Sequence, residues 1–132
     1  MTPLLDTHVL LWLVGEPKRL SRKARQLIER ASSKDGLAIA SITLWELAKL
    51  AALRRISVQG TIANWTTELL TTTGVAVLDL TPTIAELSTT FGPEYSKDPA
   101  DQIIGATARA HGMPLITADI QLLECPLLKC IW

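Results

Sequence analysis

The stretch Thr2-Pro3-Leu4-Leu5-Asp6 decides how the rest of the sequence is interpreted. Its apolar residues stop at a carboxylate, a pattern typical of a short strand that is buried on both faces of a sheet. A similar pattern recurs far along the chain, where the apolar run Leu115 to Thr117 precedes Asp119. The two runs predict strands that are followed directly by acidic residues.

Helical and strand-like segments alternate along the chain. Apolar segments at 37–40, 75–80 and 129–132 predict further strands, and periodic segments predict helices at about 9–14, 21–31, 43–51, 61–70, 81–90 and 98–111. Such alternation predicts an α/β fold, with right-handed crossovers and a mostly parallel sheet of four to five strands covered on both sides. In such sheets ligands bind beyond the carboxyl ends of the strands.

The composition is that of a soluble globular protein. The 132 residues, 48% hydrophobic and 20% charged, fit a single domain spanning 1–132. The net charge is zero, but residues 1–60 hold ten Lys/Arg and five Asp/Glu, whereas 61–132 hold three and eight. The basic residues near the start could contact phosphates, although a solvated helix face explains them more simply. They are Lys18, Arg19, Arg22, Lys23 and Arg25.

Cysteine content and hydropathy indicate a reduced, cytoplasmic protein. Cys125 and Cys130 have no Cys or His companions at zinc-site spacing, and no secretory signal accompanies them. The apolar stretches are too short to span a bilayer. The seven glycines are scattered, so no glycine-rich phosphate loop is predicted.

Four acidic residues stand at the starts of predicted helices, and each has an ordinary structural explanation. Asp6 and Asp119 can cap the helices that follow them through a side-chain oxygen. Thr43 and Glu46 match a capping box, in which the carboxylate reaches back to the N–H of the cap residue. The fourth acid, Asp101, takes the third helical position, where the helix dipole favours a carboxylate.

The joint placement of the four acids predicts more than capping. If the strands are parallel, residues beyond strand ends and residues in first helical turns lie at the same edge of the sheet. Four carboxylates gathered there would repel one another unless cations lay among them, and hard oxygen ligands suit Mg²⁺ or Mn²⁺. Carboxylates around one or two such ions make a site that cleaves phosphodiesters.

Other side chains offer weaker alternatives. His8 has no paired nucleophile and is expected beside the site or on the first helix, and His111 fits a helix C-terminus. A HAD-type phosphatase would use the first acid as its nucleophile but usually needs an Asp at position 8. Trp12 and Trp45 could serve an interface, but burial in the core is the default for such helices.

The acidic segments, in their order along the chain, resemble the motifs of PIN domains, and of VapC toxins in particular. Residues 4–8, Leu-Leu-Asp-Thr-His, resemble the opening strand motif, and residues 41–47, Ser-Ile-Thr-Leu-Trp-Glu-Leu, resemble the second acidic motif. Residues 98–101, Asp-Pro-Ala-Asp, followed by 103–108, resemble the third, and residues 115–119, Leu-Ile-Thr-Ala-Asp, resemble the fourth. Each motif is short, but the ordered set is fairly specific.

The resemblance implies a three-layer α/β/α sandwich and a metal-dependent endoribonuclease. It implies a toxin that usually dimerises, with a cognate antitoxin whose tail blocks the acidic pocket. By resemblance, Thr7 and Thr117 lie near the site, and Asp98 competes with Asp101 but is assigned as a cap or outer residue. The acids matching the family's catalytic and metal-binding quartet are Asp6, Glu46, Asp101 and Asp119.

A mechanism and a rival follow from this resemblance. Asp6 and Asp101 are expected to hold the principal Mg²⁺ or Mn²⁺, and Glu46 and Asp119 to complete the pocket directly or through water. Lys18, Arg19 and Arg22 could position the RNA backbone. The rival is a PIN-like module without catalysis that acts through protein contacts, and metal-dependent RNA cleavage would distinguish the two.

Overall fold

The computed structural model describes residues 1–132 and contains one five-stranded sheet in the order β3-β2-β1-β4-β5. Every pair of neighbouring strands is parallel, as the sequence pattern predicts. The strands are shorter than the predicted apolar runs, because only two or three residues of each run form strand hydrogen bonds with a neighbour. They are β1 Leu4–Leu5, β2 Ala38–Ala40, β3 Ala76–Leu78, β4 Leu115–Ile116 and β5 Cys130–Ile131.

Seven α-helices connect the strands. They are α1 Thr7–Gly15, α2 Arg22–Ser32, α3 Ile42–Ala52, α4 Ile62–Thr73, α5 Pro82–Leu87, α6 Pro99–His111 and α7 Ile120–Leu123, with a 3₁₀ turn at Pro17–Arg19.

Several helix ends differ from the sequence prediction for local reasons. The first helix begins at Thr7 and not at Val9, because Asp6 caps it through the N–H of Thr7. Helix α4 continues to Thr73 and ends at Gly74, whose φ of 67° is a left-handed conformation that glycine adopts without strain. Helix α5 stops at Leu87, and the hydroxyls of the next three residues donate to backbone carbonyls of its last turn.

Hydrophobic clusters cover the two faces of the sheet, which gives the predicted three layers. Successive strand residues point to opposite faces. Leu5, Ile39 and Ile116 join a cluster with residues of α1 to α4. Leu4 and Leu115 join the other cluster, which α6 and α7 complete. The central strands are therefore buried on both faces, and only their ends can carry polar chemistry.

Strand β1 lies between β2 and β4, so the chain leaves it in one direction and later returns on its other side. In open parallel sheets, ligands bind in the crevice beyond the strand ends at such a reversal. Asp6 follows β1 directly, Ser41 follows β2, and Thr117 follows β4. None of the helices combines the length and the apolar character that a membrane span requires.

Candidate active site

Asp6 is buried and held between two elements that are distant in sequence. Its Oδ1 accepts a hydrogen bond from the N–H of Thr7 at 2.9 Å, and its Oδ2 accepts one from Oγ1 of Thr117 at 2.6 Å. Only 3% of the residue is exposed. Asp6 is therefore the predicted helix cap, and its second oxygen is fixed at the end of β4.

Glu46 is not part of a capping box, so that prediction is wrong. Helix α3 begins at Ile42, which puts Thr43 inside the helix instead of at its cap. The buried hydroxyl of Thr43 lies 3.0 Å from that of Thr7, and the Thr7 hydroxyl donates to Oε1 of Glu46. The Glu46 carboxylate is thus bound to the residue beside Asp6, since the packing of α3 against α1 offers it a closer partner than its own helix start.

Asp101 lies in the first turn of α6, as predicted, and Asp98 is the cap. Oδ1 of Asp98 accepts the N–H of Ala100 at 2.8 Å. Oδ2 of Asp101 accepts a hydrogen bond at 2.6 Å from Oγ of Ser96, a buried residue of the preceding loop. The two acids therefore have separate partners, and Asp98 is exposed whereas Asp101 is partly buried.

The loop before α6 is held by close packing of two aromatic rings against that helix, which the sequence did not predict. Phe91 and Tyr95 stack with ring centroids 3.9 Å apart, and the Tyr95 hydroxyl donates to the backbone carbonyl of Asp101 at 2.8 Å. Both rings lie over Gly105, where an added Cβ would be 2.3 Å from the Tyr95 hydroxyl oxygen. Glycine at this position lets the loop approach α6 and bring Ser96 to Asp101. A glycine inside a helical pattern, four residues beyond the third acid, was the available signal.

Asp119 caps α7, and Oδ1 accepts the N–H of Gln121 at 2.9 Å. Its own N–H donates at 3.0 Å to Oγ1 of Thr117, the same hydroxyl that donates to Asp6. Thr117 is fully buried, so this hydroxyl sets the separation between the backbone of Asp119 and the carboxylate of Asp6.

His8 lies on α1 and beside the acids, in agreement with its expected position. Its Nε2 accepts the N–H of Ala118 at 3.3 Å, and Nδ1 lies 3.6 Å from Oδ2 of Asp6. The backbone N–H of Ala118 points at Nε2, and Nδ1 is the ring nitrogen that faces Asp6. His8 therefore connects α1 to the loop that follows β4.

The charges of the acids act on one another. Burial raises the pKa of Asp101 to about 7; the hydrogen bond from Ser96 opposes this rise, and the charges of Asp6, Asp98 and Asp119 add to it. Burial likewise raises the pKa of Glu46 above its ordinary value, opposed by the Thr7 hydrogen bond and reinforced by Asp6 and Asp98. Thr117 joins Asp6 to the backbone of Asp119, and Thr7 joins Glu46 to the residue beside Asp6, so these acids lie at the same edge of the sheet, while their joint role as metal ligands stays a prediction.

The donor set fits a hard divalent cation by its chemistry, since it consists of carboxylate oxygens that repel one another. No group of three or more Asp, Glu, His or Cys side chains is arranged closely enough to hold a metal ion in this structure. The carboxylates fit the group by their chemistry, and a cation among them would offset the charges of Asp6, Asp98 and Asp119, which add to the rise in the pKa of Asp101 that burial causes.

The basic residues of the first half do not contact this cluster. Arg19 lies over the ring of Trp12 at 4.3 Å and pairs with Glu16 at 3.8 Å. Lys18 and Arg22 are exposed. No hydrogen bond or ion pair joins any of the three basic residues to the acids, so their predicted role as phosphate contacts stays a prediction.

Comparison with known proteins agrees with this architecture. Residues 4–126 match the family model described as PIN domain. The chain belongs to the PIN domain family. A relative, Ribonuclease VapC22 of Mycobacterium tuberculosis, is 40% identical over 121 residues, which cover 92% of this chain and 89% of the relative.

Solved structures share the PIN fold along nearly the whole chain. The VapBC2 complex of Rickettsia felis, bound to a DNA fragment from its promoter, gives a TM-score of 0.75 at 17% identity, covering 99% of this chain and 98% of that one. A toxin–antitoxin complex from Klebsiella pneumoniae gives 0.67 at 26% identity, covering 98% and 96%. The predicted PIN-like sandwich is confirmed.

Proposed function

We propose that this PIN-domain chain is a metal-dependent endoribonuclease that acts as the toxin of a toxin–antitoxin pair. The single observation that carries the chemistry is the acidic cluster at the carboxyl edge of the sheet, where burial and neighbouring acids raise the pKa of Asp101 to about 7. The biological role is supported by the similarity to Ribonuclease VapC22 and by the fold shared with toxin–antitoxin complexes.

Asp6 and Asp101 would hold Mg²⁺ or Mn²⁺, and Glu46 and Asp119 would complete the pocket directly or through water. Such an ion, when bound, supplies a more acidic water and offsets negative charge on the phosphate oxygens. Hydroxyl donors keep the acids in place, because Thr117 binds Asp6 while other hydroxyls bind Glu46 and Asp101. Such hydrogen bonds limit the side-chain freedom that these acids would lose on binding a cation and a phosphodiester.

The substrate would be an RNA backbone, which Lys18, Arg19 and Arg22 would position from the basic first half of the chain. The protein partner would be a cognate antitoxin that covers the acidic pocket, and the toxin would form a homodimer. A local basic rim around an acidic pocket is compatible with the zero net charge of the whole chain.

The decisive experiment compares Asp6→Asn with Asp79→Asn in cleavage of end-labelled RNA, with Mg²⁺ or Mn²⁺ and with EDTA. Asp79 also follows a strand of the sheet but is exposed and makes no hydrogen bond through its carboxylate, so it is a matched control. We expect Asp6→Asn to lose more than the ~10–100-fold typical of a lost supporting partner, and Asp79→Asn to cleave like the wild type.

Two results would contradict this assignment. The first is wild-type cleavage by Asp6→Asn, which would remove Asp6 from the chemistry. The second is a folded wild-type chain with no metal-dependent cleavage of any RNA, which would favour the PIN-like module that acts through protein contacts alone. Circular dichroism of each variant establishes that the fold is intact.

A further inference from the structure

Trp45 differs from the other three tryptophans in its surroundings. Trp12, Trp65 and Trp132 pack against the hydrophobic cluster on one face of the sheet, whereas Trp45 belongs to neither cluster. It is 47% exposed, so the expectation that it lies in the core is wrong. An indole is the largest apolar side chain, and one left half in water at the edge of an acidic cluster calls for a partner.

The position of Trp45 on α3 explains its exposure. The buried residues of this helix are Thr43 and Leu47, which face the sheet. Successive helical residues are about 100° apart, so Trp45 turns away from that face. The ring is nevertheless held in place, because Nζ of Lys49, one turn later, lies 4.3 Å from the ring centroid. A cation over an aromatic face stabilises the ring position even at an exposed site.

Trp45 and Lys49 lie on the same helix as Glu46, and Lys49 links the two. Trp45 precedes Glu46 directly, and Lys49 lies three residues beyond Glu46, on the neighbouring helical position. The charge of Lys49 acts on the Glu46 carboxylate. A ligand that stacks on Trp45 would therefore lie within one helical turn of an acid that the proposed reaction uses.

We propose that Trp45 and Lys49 form a nucleotide subsite beside the acidic cluster, where an unpaired RNA base stacks on the indole and Lys49 binds an adjoining phosphate. The subsite rests on the endoribonuclease function proposed above and specifies its substrate as single-stranded. Stacking needs a base freed from its neighbours, and an aromatic ring with a nearby cation is the combination that single-stranded nucleic acid binds.

A protein surface is a weaker candidate for this site. The cation of Lys49 lies over the exposed ring, and lysine is depleted at the centre of protein interfaces. The neighbours of Trp45 three and four residues away on the helix surface include the partly buried Ile42 and Ala48 and the exposed Lys49. The charged and aromatic surroundings fit a base and a phosphate better.

The test measures kcat and KM for metal-dependent cleavage of a single-stranded RNA and of the same sequence in a duplex. The variants are Trp45→Ala, Trp45→Phe and the control Leu53→Ala, which removes a 62% exposed apolar side chain near the end of the same helix. We expect Trp45→Ala to raise KM about 5- to 50-fold on the single strand with little change in kcat, and Trp45→Phe to recover most of the loss. Leu53→Ala should match the wild type.

Tryptophan fluorescence supplies a readout that a structural role would not move. In an Asp6→Asn background, single-stranded RNA should quench the emission, and replacing Trp45 by Phe should remove most of that quenching. Equal KM values for Trp45→Ala and wild type would overturn the subsite, as would a Trp45→Phe variant as impaired as Trp45→Ala.

Failure of the subsite and failure of the proposed function are distinguishable. A wild type that cleaves RNA while Trp45→Ala is unaffected removes only the subsite. Loss of metal-dependent cleavage and of RNA binding in both wild type and Leu53→Ala removes both. If Trp45→Ala cleaves normally but no longer binds an antitoxin, the surface is a protein contact and the RNA subsite is wrong.

Discussion

Replacing Asp101 by Asn should stabilise the metal-free protein at alkaline pH while it removes activity. The carboxylate has an ordinary pKa of 3.8, which burial and the neighbouring acids raise to about 7 in the folded chain. The amide oxygen of Asn can accept the hydrogen bond that Ser96 donates at 2.6 Å, so the substitution removes charge and leaves the local packing intact.

The magnitude follows from the pKa difference between the unfolded and folded states. A shift of one unit corresponds to about 1.4 kcal/mol, so a fully buried group raised from 3.8 to about 7 would destabilise the folded state by about 4 kcal/mol. Asp101 is only partly buried, and solvent screens its charge, which reduces the expected effect to about 1–2 kcal/mol.

The sign and the pH window are fixed by which state holds the proton. Below about pH 3.8 both states are protonated at Asp101, and the substitution changes little. Between that value and about 7 the unfolded chain has released the proton and the folded chain retains it, so wild-type stability falls relative to the Asn variant as pH rises. Above about 7 the difference is complete.

Urea denaturation with EDTA, near pH 4 and at pH 8, measures this difference, and Asp79→Asn is the control at both. We expect a gain of about 1–2 kcal/mol for Asp101→Asn at pH 8 and under about 0.5 kcal/mol near pH 4. Mg²⁺ or Mn²⁺ should then stabilise the wild type and not the variant, because only a folded state with its ligands binds the ion. A variant less stable than wild type at pH 8, or a gain equal at both pH values, would refute this reasoning.

Two further substitutions probe how the acidic residues are held. Thr117→Val should reduce the free energy of unfolding by about 1–3 kcal/mol, because Asp6 loses a donor and the N–H of Asp119 loses an acceptor, and Thr117→Ser should restore most of it in chemical denaturation. Gly105→Ala should cost about 1–3 kcal/mol by the same measurement, since the new methyl would overlap the Tyr95 hydroxyl; an unchanged denaturation midpoint would show that the loop does not need this close approach.

The fold could be predicted from the sequence because its signals are local. Buried parallel strands leave short apolar runs, and helix caps leave Ser, Thr or Asp before amphipathic segments, so Asp98 and Asp119 were predicted as caps from their neighbours alone. The order of strands in the sheet depends on pairing between distant segments, and the apolar pattern of a strand does not identify its neighbours. The reversal of strand order at β1 could not be predicted from particular residues, only expected because alternating α/β chains commonly contain one.

The position of the acids at one edge of the sheet could be predicted from the sequence, but their hydrogen-bond partners could not. The order of strand ends and helix starts was enough to bring Asp6, Asp101 and Asp119 to one edge. The hydrogen-bond partner of Glu46 could not be predicted, because a capping box and a contact with Thr7 require the same residue types. Only the packing of α3 against α1 decides between them. The exposure of Trp45 was missed for a similar reason, since an amphipathic pattern does not say how wide the buried face is.

The hydroxyl of Thr117 joins residues that lie 111 positions apart, and this has a consequence for synthesis. A ribosome makes the chain from its amino end, so Asp6 and Glu46 emerge long before the strand that carries Thr117. The central strand β1 lacks one of its two neighbours until β4 is available. A nascent or prematurely ended chain that stops before β4 therefore contains the first acids without the assembled pocket, and the arrangement of acidic groups can form only after β4 and Thr117 have been synthesised.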